Sequence, residues 1–146
     1  MQNTITILSA EPKFREAIVT LLLSEKLPGE DLPADLTNFF VASDNGNIIG
    51  AIGLEIYGTD GLLRSLVIKP EYRNKRIAER LVGELEKLGG MLGLENIYLL
   101  TETAQRYFTA KGYQVIERKY APALLQLSSE FSHACPASAT LMKKSL

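Results

Sequence analysis

Residues 66–82 read LVIKPEYRNKRIAERLV, and within them the spacing of the apolar side chains changes. Leu66, Val67 and Ile68 close a strand-like segment that begins at Leu62, and Pro70 ends it. From Ile77 the apolar positions recur at Leu81, Leu85 and Leu88, with Ala78 and Val82 beside them, which is the stripe of an amphipathic helix. A strand therefore passes through a short loop into a helix. The first amides of such a helix have no acceptor within it and sit at the positive end of its dipole. They suit a pyrophosphate, and Arg73, Lys75 and Arg76 add cationic donors for phosphate oxygens. A strand, a basic loop and a helix also describe many solvated surface turns, so the surroundings must decide.

Downstream, Gly89 and Gly90 weaken the helix and Gly93 stops it. Asn96 to Leu100 is a short apolar strand, and helix plus strand predict a parallel crossover. Thr103 to Lys111 reads as a second helix ended by Gly112, followed by a strand from Tyr113 to Arg118. Beyond Pro122 the pattern loosens until CPASATLMKK (135–144), which reads as a last strand. Upstream, Thr4 to Leu8 is a strand. Glu11 to Leu23 is a helix with Phe14, Ile18, Leu21 and Leu22 on one face. LPGEDLP (27–33) is punctuation, with Asp35 or Thr37 starting a short helical turn. Phe39 to Ser43 and Asn47 to Tyr57 pair around a turn at Asp44–Asn47, and Gly58 to Gly61 turns the chain again. The order strand, helix, three strands, helix, strand, helix, strand, strand predicts a mixed α/β fold, with antiparallel hairpins first and crossovers later.

The 146 residues suit one domain spanning 1–146, and 46% hydrophobic content is ordinary for a folded chain. Lys and Arg number 16 against 17 Asp and Glu, which argues against a general nucleic-acid binder but leaves room for a local basic patch. The single cysteine, Cys135, permits no internal disulfide and fits a cytoplasmic location. Its plain reading is a small packed side chain. His133 is the only histidine, so no Cys/His metal site is expected. The opening MQNTITILSAEPK lacks a basic stretch before a long apolar run, so no signal peptide is expected. No apolar run approaches the roughly 18 residues of a membrane helix.

The central stretch resembles the signature of the GNAT superfamily of acetyltransferases. In that family a strand ending in L-x-V is followed by Pro and by R-G-x-G-x-G or R-G-x-G-x-A. Here Leu66, Val67, Ile68 and Pro70 precede Arg73, Asn74, Lys75, Arg76, Ile77 and Ala78. Arg73 and Ala78 match, while Asn74 and Arg76 stand where glycine is usual. TETAQRYFTAKGY (101–113) resembles the family's second cofactor motif through Ala104, Tyr107, Phe108, Gly112 and Tyr113. LPGEDL, GLEIYG, LLRSLVI and IYLLT are closer to one subgroup, the arsenic-resistance N-acetyltransferases. So is the tail formed by Arg118, Pro122, Ser128–Phe131 and Cys135–Met142.

The resemblance implies a GNAT-like mixed central sheet with helices on both faces, and acetyl-CoA as co-substrate without a metal. It implies a gap between parallel strands, beside Leu66–Ile68 and Ile97–Leu100, that admits pantetheine. A main-chain N–H near Val67 would donate to the thioester oxygen. The implied cofactor contacts are Leu66, Val67, Ile68, Arg73, Asn74, Lys75, Arg76, Ile77, Ala78, Thr101, Ala104 and Phe108. Asn tolerates positive φ at little cost. Arg76 either obstructs phosphate or turns outward to pair with CoA.

The family's usual proton donor is a Tyr four residues before the Gly of Gly-Tyr. Phe108 holds that place and the hydroxyl belongs to Tyr107, about 100° away on a helix. Two readings stand: ordinary core aromatics, or a catalytic Tyr107 giving limited help to a thiolate that already leaves well. Glu55 is the implied general base. If the turn is centred between Thr59 and Asp60, Glu55 faces Arg64 across the hairpin, and the pair is a structural salt bridge. Arg64 is then either that partner or a clamp for the substrate's carboxylate. The implied acceptor is a small-molecule amine carrying an acidic group, amino-acid-like or arsenical. One cysteine cannot chelate trivalent arsenic, so a direct arsenite site is not expected. Acetylation of a peptide or protein amine, and a degenerate domain that binds CoA or serves as an interaction module, remain open. A homodimer is one assembly open to the chain.

Overall fold

The computed structural model describes residues 4–29, 31–128, 131 and 138–146. The elements run β1 (Ile5–Ser9), α1 (Arg15–Ser24), β2 (Phe39–Asp44), β3 (Asn47–Tyr57), β4 (Asp60–Ile68) and α2 (Ile77–Met91). They continue with β5 (Asn96–Thr101), α3 (Gln105–Ala110), β6 (Gln114–Ile116), α4 (Ala123–Gln126) and β7 (Thr140–Ser145). The strands follow the order β1-β2-β3-β4-β5-β7-β6 in a mixed seven-stranded sheet. The chain forms two compact units. One takes in the residues up to Leu54 and Ser65–Leu88, the other Glu55–Arg64 and Gly89–Leu146.

In the first unit α1 buries Ile18, Leu21 and Leu22, the i, i+3, i+4 face read from the sequence. These pack with Leu32, Leu36, Phe39, Val41, Ala51 and Val67. β1 pairs antiparallel with β2 from Ile5↔Asp44 to Ser9↔Phe40. β2 pairs antiparallel with β3, and the register shifts between Ala42 and Ser43. The β2–β3 turn places Asn45 and Gly46 at φ of 50° and 91°, the left-handed pair that a two-residue hairpin loop requires. No helix forms at Asp35 or Thr37, where a single turn closes with the Phe39 N–H on the Leu36 carbonyl at 2.9 Å. The Asp35 carboxylate instead accepts the Thr37 N–H at 2.9 Å and the Thr37 hydroxyl, an Asx turn that competes with helix.

In the second unit β4 runs parallel to β5, with Asp60↔Asn96, Gly61↔Ile97 and Leu62↔Tyr98 in register, so the predicted crossover is present. β5 and β6 each pair antiparallel with β7. Leu62, Tyr98, Ala121, Leu125 and Leu141 form the core, with Tyr57, Leu100, Ile116 and Phe131 packed on it. Gly93, at φ 78°, ends α2, and the Leu94 N–H returns to the Gly89 carbonyl at 3.0 Å. β6 is shorter than its sequence pattern because Arg118–Tyr120 curls into a 3₁₀ turn ahead of Pro122. α3 starts at Gln105 rather than Thr103, after the Thr101 hydroxyl accepts the Ala104 N–H at 2.9 Å.

Candidate functional site

The loop between β4 and α2 lies in the first unit. Lys69 closes β4 by donating its N–H to the Ile49 carbonyl at 2.8 Å, and Pro70–Tyr72 forms a 3₁₀ turn. The chain then alternates. Asn74 takes φ 63° and Arg76 takes φ 60°, both left-handed. These are the two positions where the signature has glycine, so the loop keeps the glycine backbone without the glycines. For arginine that conformation costs about 1–2 kcal/mol. The Arg76 carbonyl accepts the Arg80 N–H at 3.2 Å, so the helix opens directly after it. Ile77 is buried as an anchor, while Arg73, Asn74, Lys75 and Arg76 are exposed. Leu66 and Ile68 are half-buried, and Val67 is in the core.

Two acidic groups hold this loop. The Tyr72 hydroxyl donates to Asp44 Oδ2 at 2.5 Å, and the Thr4 hydroxyl donates to Asp44 Oδ1. The bonds from Thr4 and then Tyr72 keep the Asp44 carboxyl below the usual carboxylate range, and the bond to Asp44 raises the Tyr72 phenol. Lys75 Nζ lies 5.6 Å from the centre of the Tyr72 ring. Arg73 Nη2 meets Glu25 Oε1 at 2.5 Å. Glu25 lies 48 residues away in sequence, and nothing local marks it as a partner.

The second unit holds the carboxylate cluster. Glu55 and Tyr57 sit two apart on β3 and so share a face. Arg64 Nη1 donates to Glu55 Oε2 at 2.9 Å, and the Tyr57 hydroxyl donates to Glu55 Oε1 at 2.6 Å. The Arg64 side chain is 0% exposed and that of Glu55 15%. The cross-strand pair therefore forms, although the hairpin loop is Gly58–Thr59 and its centre lies one place earlier than expected. The length of the arginine side chain absorbs that offset. Burial, and then the bond and charge of Glu55, push the Tyr57 phenol well above its ordinary range. A hydrogen bond from Ser128 and the Arg64 charge act in the opposite direction. Tyr57 falls within GLEIYG and Ser128 opens the tail segment Ser128–Phe131, but neither is marked there as a partner of Glu55. The two-residue spacing of Tyr57 from Glu55 is the signal for the first, while nothing local joins Ser128 to Tyr57, 71 residues before it.

Elsewhere in this unit, Phe108 is 4% exposed and its ring meets Tyr113 edge-on at 5.4 Å. Tyr107 meets Phe108 edge-on at 5.1 Å, its hydroxyl is buried, and Lys111 Nζ lies 5.6 Å from its ring centre. Thr101 and Ala104 form the capped entry to α3. Ser129, Glu130, His133 and Cys135 lie outside the described residues. Among the described residues, no three His, Cys, Asp or Glu side chains gather to hold a metal. No described helix is long and apolar enough to cross a membrane.

The family model described as an acetyltransferase (GNAT) domain matches residues 35–115, more than half of the chain. An uncharacterized N-acetyltransferase of Chlorobaculum tepidum is 32% identical over 94 residues, covering 64% of this chain and 60% of that protein. An amino-acid acetyltransferase of Pasteurella multocida is 24% identical over 60% of this chain but only 20% of its own length. The chain thus spans between a fifth and three fifths of these relatives. N-acetylglutamate synthase from Neisseria gonorrhoeae, solved with coenzyme A and N-acetyl-glutamate, superposes with a TM-score of 0.84 at 16% identity. The superposition covers 100% of this chain and 36% of that one, and it is a likeness of fold.

Proposed function

This chain belongs to the GNAT acetyltransferase family, and we propose that it transfers the acetyl group of acetyl-CoA to the α-amine of a small, amino-acid-like acceptor. The observation that carries the cofactor half is the left-handed backbone at Asn74 and Arg76 between Arg73 and Ala78. That backbone leaves the opening amides of α2 for a pyrophosphate, and Arg73, Lys75 and Arg76 surround them with charge. In the transfer, the neutral amine attacks the thioester carbonyl, and a main-chain N–H near Val67 is the proposed donor to the oxyanion. The nitrogen releases a proton to water, the C–S bond breaks, and the thiolate takes a proton. Tyr107 is the proposed, and dispensable, source. A thiol at about 8.5 lies below a tyrosine at about 10, so the phenol gives little driving force.

The chemistry of Glu55 supports an α-amine. Both of its oxygens already accept hydrogen bonds, one from a buried arginine. Such a carboxylate suits orienting an amine better than stripping a proton from a lysine ammonium near 10.4, whereas an α-amine near 8 is already about a tenth neutral at pH 7. The relative named as an amino-acid acetyltransferase supports the same acceptor class. Arg64 would serve the acceptor through its charge, which offsets Glu55 and attracts an acidic group on the substrate.

A second reading narrows the acceptor to an amino-acid-like arsenical. Its support is the tail that carries the resemblance to the arsenic-resistance subgroup. Arg118 Nη2 donates to the Ala139 carbonyl at 3.0 Å, and the Arg118 guanidinium lies 5.2 Å from the centre of the Phe131 ring. Three residues of the distinctive segments thus converge. A cytoplasmic setting and a homodimer belong to the same proposal; light scattering reads the second.

The test is an acceptor panel monitored by release of free thiol from acetyl-CoA. Acidic α-amino acids, with and without an arsenic acid group, should be productive. Polyamines or protein lysines as the sole acceptors would sink the reading. Stabilisation by acetyl-CoA without any thiol release would leave a binding module. Independently, Arg73→Glu should weaken acetyl-CoA binding at least tenfold by calorimetry; unchanged affinity would remove the loop from the cofactor site.

A further inference from the structure

The mechanism uses Glu55 but leaves unexplained why two further hydroxyls accompany it. The Phe131 N–H donates to Ser128 Oγ at 3.1 Å. Ser128 is 3% exposed, and its hydroxyl is hydrogen-bonded to the Tyr57 phenol. A tyrosine hydroxyl has one hydrogen. An ionised carboxylate can only accept, so that hydrogen goes to Glu55 Oε1 at 2.6 Å, and Ser128 is left to donate to the phenol oxygen. Arg64 donates to the other oxygen at 2.9 Å. The donors run one way, from a backbone amide through Ser128 and Tyr57 to the carboxylate, and bonds aligned in this manner polarise one another.

We infer that Tyr57 is a positioning residue for the acceptor amine: its hydroxyl fixes one oxygen of Glu55 and ties that carboxylate, through Ser128, to the C-terminal segment. The inference rests on the acceptor reading above, in which Glu55 meets the amine. The phenol suits this work. Its ring packs on the core of Leu62, Tyr98, Ala121, Leu125 and Leu141, so the pivot is set by burial. It stays protonated across the working pH range and therefore always donates. Arg64 alone would hold only one of the two oxygens and leave the carboxylate free to rotate. With both oxygens held, the remaining lone pairs of Glu55 point in a fixed direction.

Tyr57→Phe removes the hydroxyl and keeps the ring. On whichever amine the wild-type protein acetylates best, the acceptor KM should rise about tenfold. The kcat should fall less than threefold, and acetyl-CoA affinity should stay within twofold. Ser128→Ala should raise KM in the same direction but less, and should add nothing on top of Tyr57→Phe. An unchanged KM in Tyr57→Phe overturns the positioning role. Additive effects of the two substitutions overturn the link through Ser128. If the wild-type protein acetylates no amine, the acceptor reading fails by itself. The relay is then judged by crystal structures of the wild type and Tyr57→Phe. A displaced or doubly placed Glu55 carboxylate upholds it, and an unmoved one refutes it.

Discussion

At the scale of single residues, Arg76 is the least expected. Asn74 and Arg76 both take φ near 60°, but they are not equivalent there. Asparagine visits the left-handed region readily, whereas arginine crowds its Cβ against the following carbonyl. Arg76→Gly should therefore stabilise the protein by about 0.5–1 kcal/mol, the relief of strain less the extra freedom glycine has when unfolded. Asn74→Gly should be near neutral. Urea midpoints at constant slope read both, and a destabilised Arg76→Gly would show that the side chain contributes more than its backbone costs. The same substitution separates two roles in binding. If affinity for acetyl-CoA falls although stability rises, the guanidinium is retained for the cofactor.

At the scale of elements, the strands carry their information in side-chain spacing, and most of it could be read. The strands and the principal helices stand near where period and punctuation placed them, except that β7 starts at Thr140 and the first residues of its expected segment, 135–137, lie outside the described residues. What escaped has physical causes. Asp35 and Thr37 suggest the start of a helical turn because a capping residue and an Asx turn use the same side chain. α4 is a four-residue turn, too short to show a period. Ser65, at φ 61° within β4, left no mark in the composition of its strand. Of the candidate site, the loop and the Glu55–Arg64 pair were legible because their partners lie close in sequence. Glu25 and Ser128 reach their partners from remote elements, which no local pattern can announce. The β2–β3 ladder supplies a test of spacing too subtle to read. Phe39 and Gly53 are cross-strand partners, and a Cβ at Gly53 would lie 2.3 Å from the Phe39 ring. Phe39 is 1% exposed, so the ring has nowhere to go. Gly53→Ala should cost about 1–3 kcal/mol or more by overpacking. Thermal denaturation reads it, and the double variant with Phe39→Leu should recover part of the loss. A tolerated Gly53→Ala would mean the ring is less fixed than its burial implies.

At the scale of the whole molecule, three tyrosines contribute to the loss of stability at alkaline pH. Tyr57 is raised by burial and by Glu55, Tyr98 by burial and the Asp60 charge, and Tyr72 by its bond to Asp44. In each case the folded phenol holds its proton at a pH where the unfolded phenol, near 10, has released it. The unfolded state then binds fewer protons than the folded one, so stability must fall as pH rises above about 10. Asp44 and Asp35 work in the opposite sense. Their carboxyls are lowered by hydrogen bonds in the folded state. The stability they contribute is present above about 4 and lost as pH falls below it, since there the unfolded state takes up protons first. The chain should therefore be most stable on a plateau between these limits, with a loss on either side. Urea unfolding at half-unit pH steps from 9 to 12 tests the alkaline limb. Tyr98→Phe should lower stability little at pH 8 and make the decline above pH 10 shallower, because one of the withheld protons is gone. Tyr72→Phe should flatten the alkaline limb as well. It should also weaken the acid limb, because Asp44 loses one of the two bonds that hold its carboxyl down. A decline of unchanged steepness in both variants would place the alkaline loss on lysines rather than on these phenols. The paired effect of Tyr72→Phe distinguishes the two causes, since a lysine origin gives no reason for the acid limb to move.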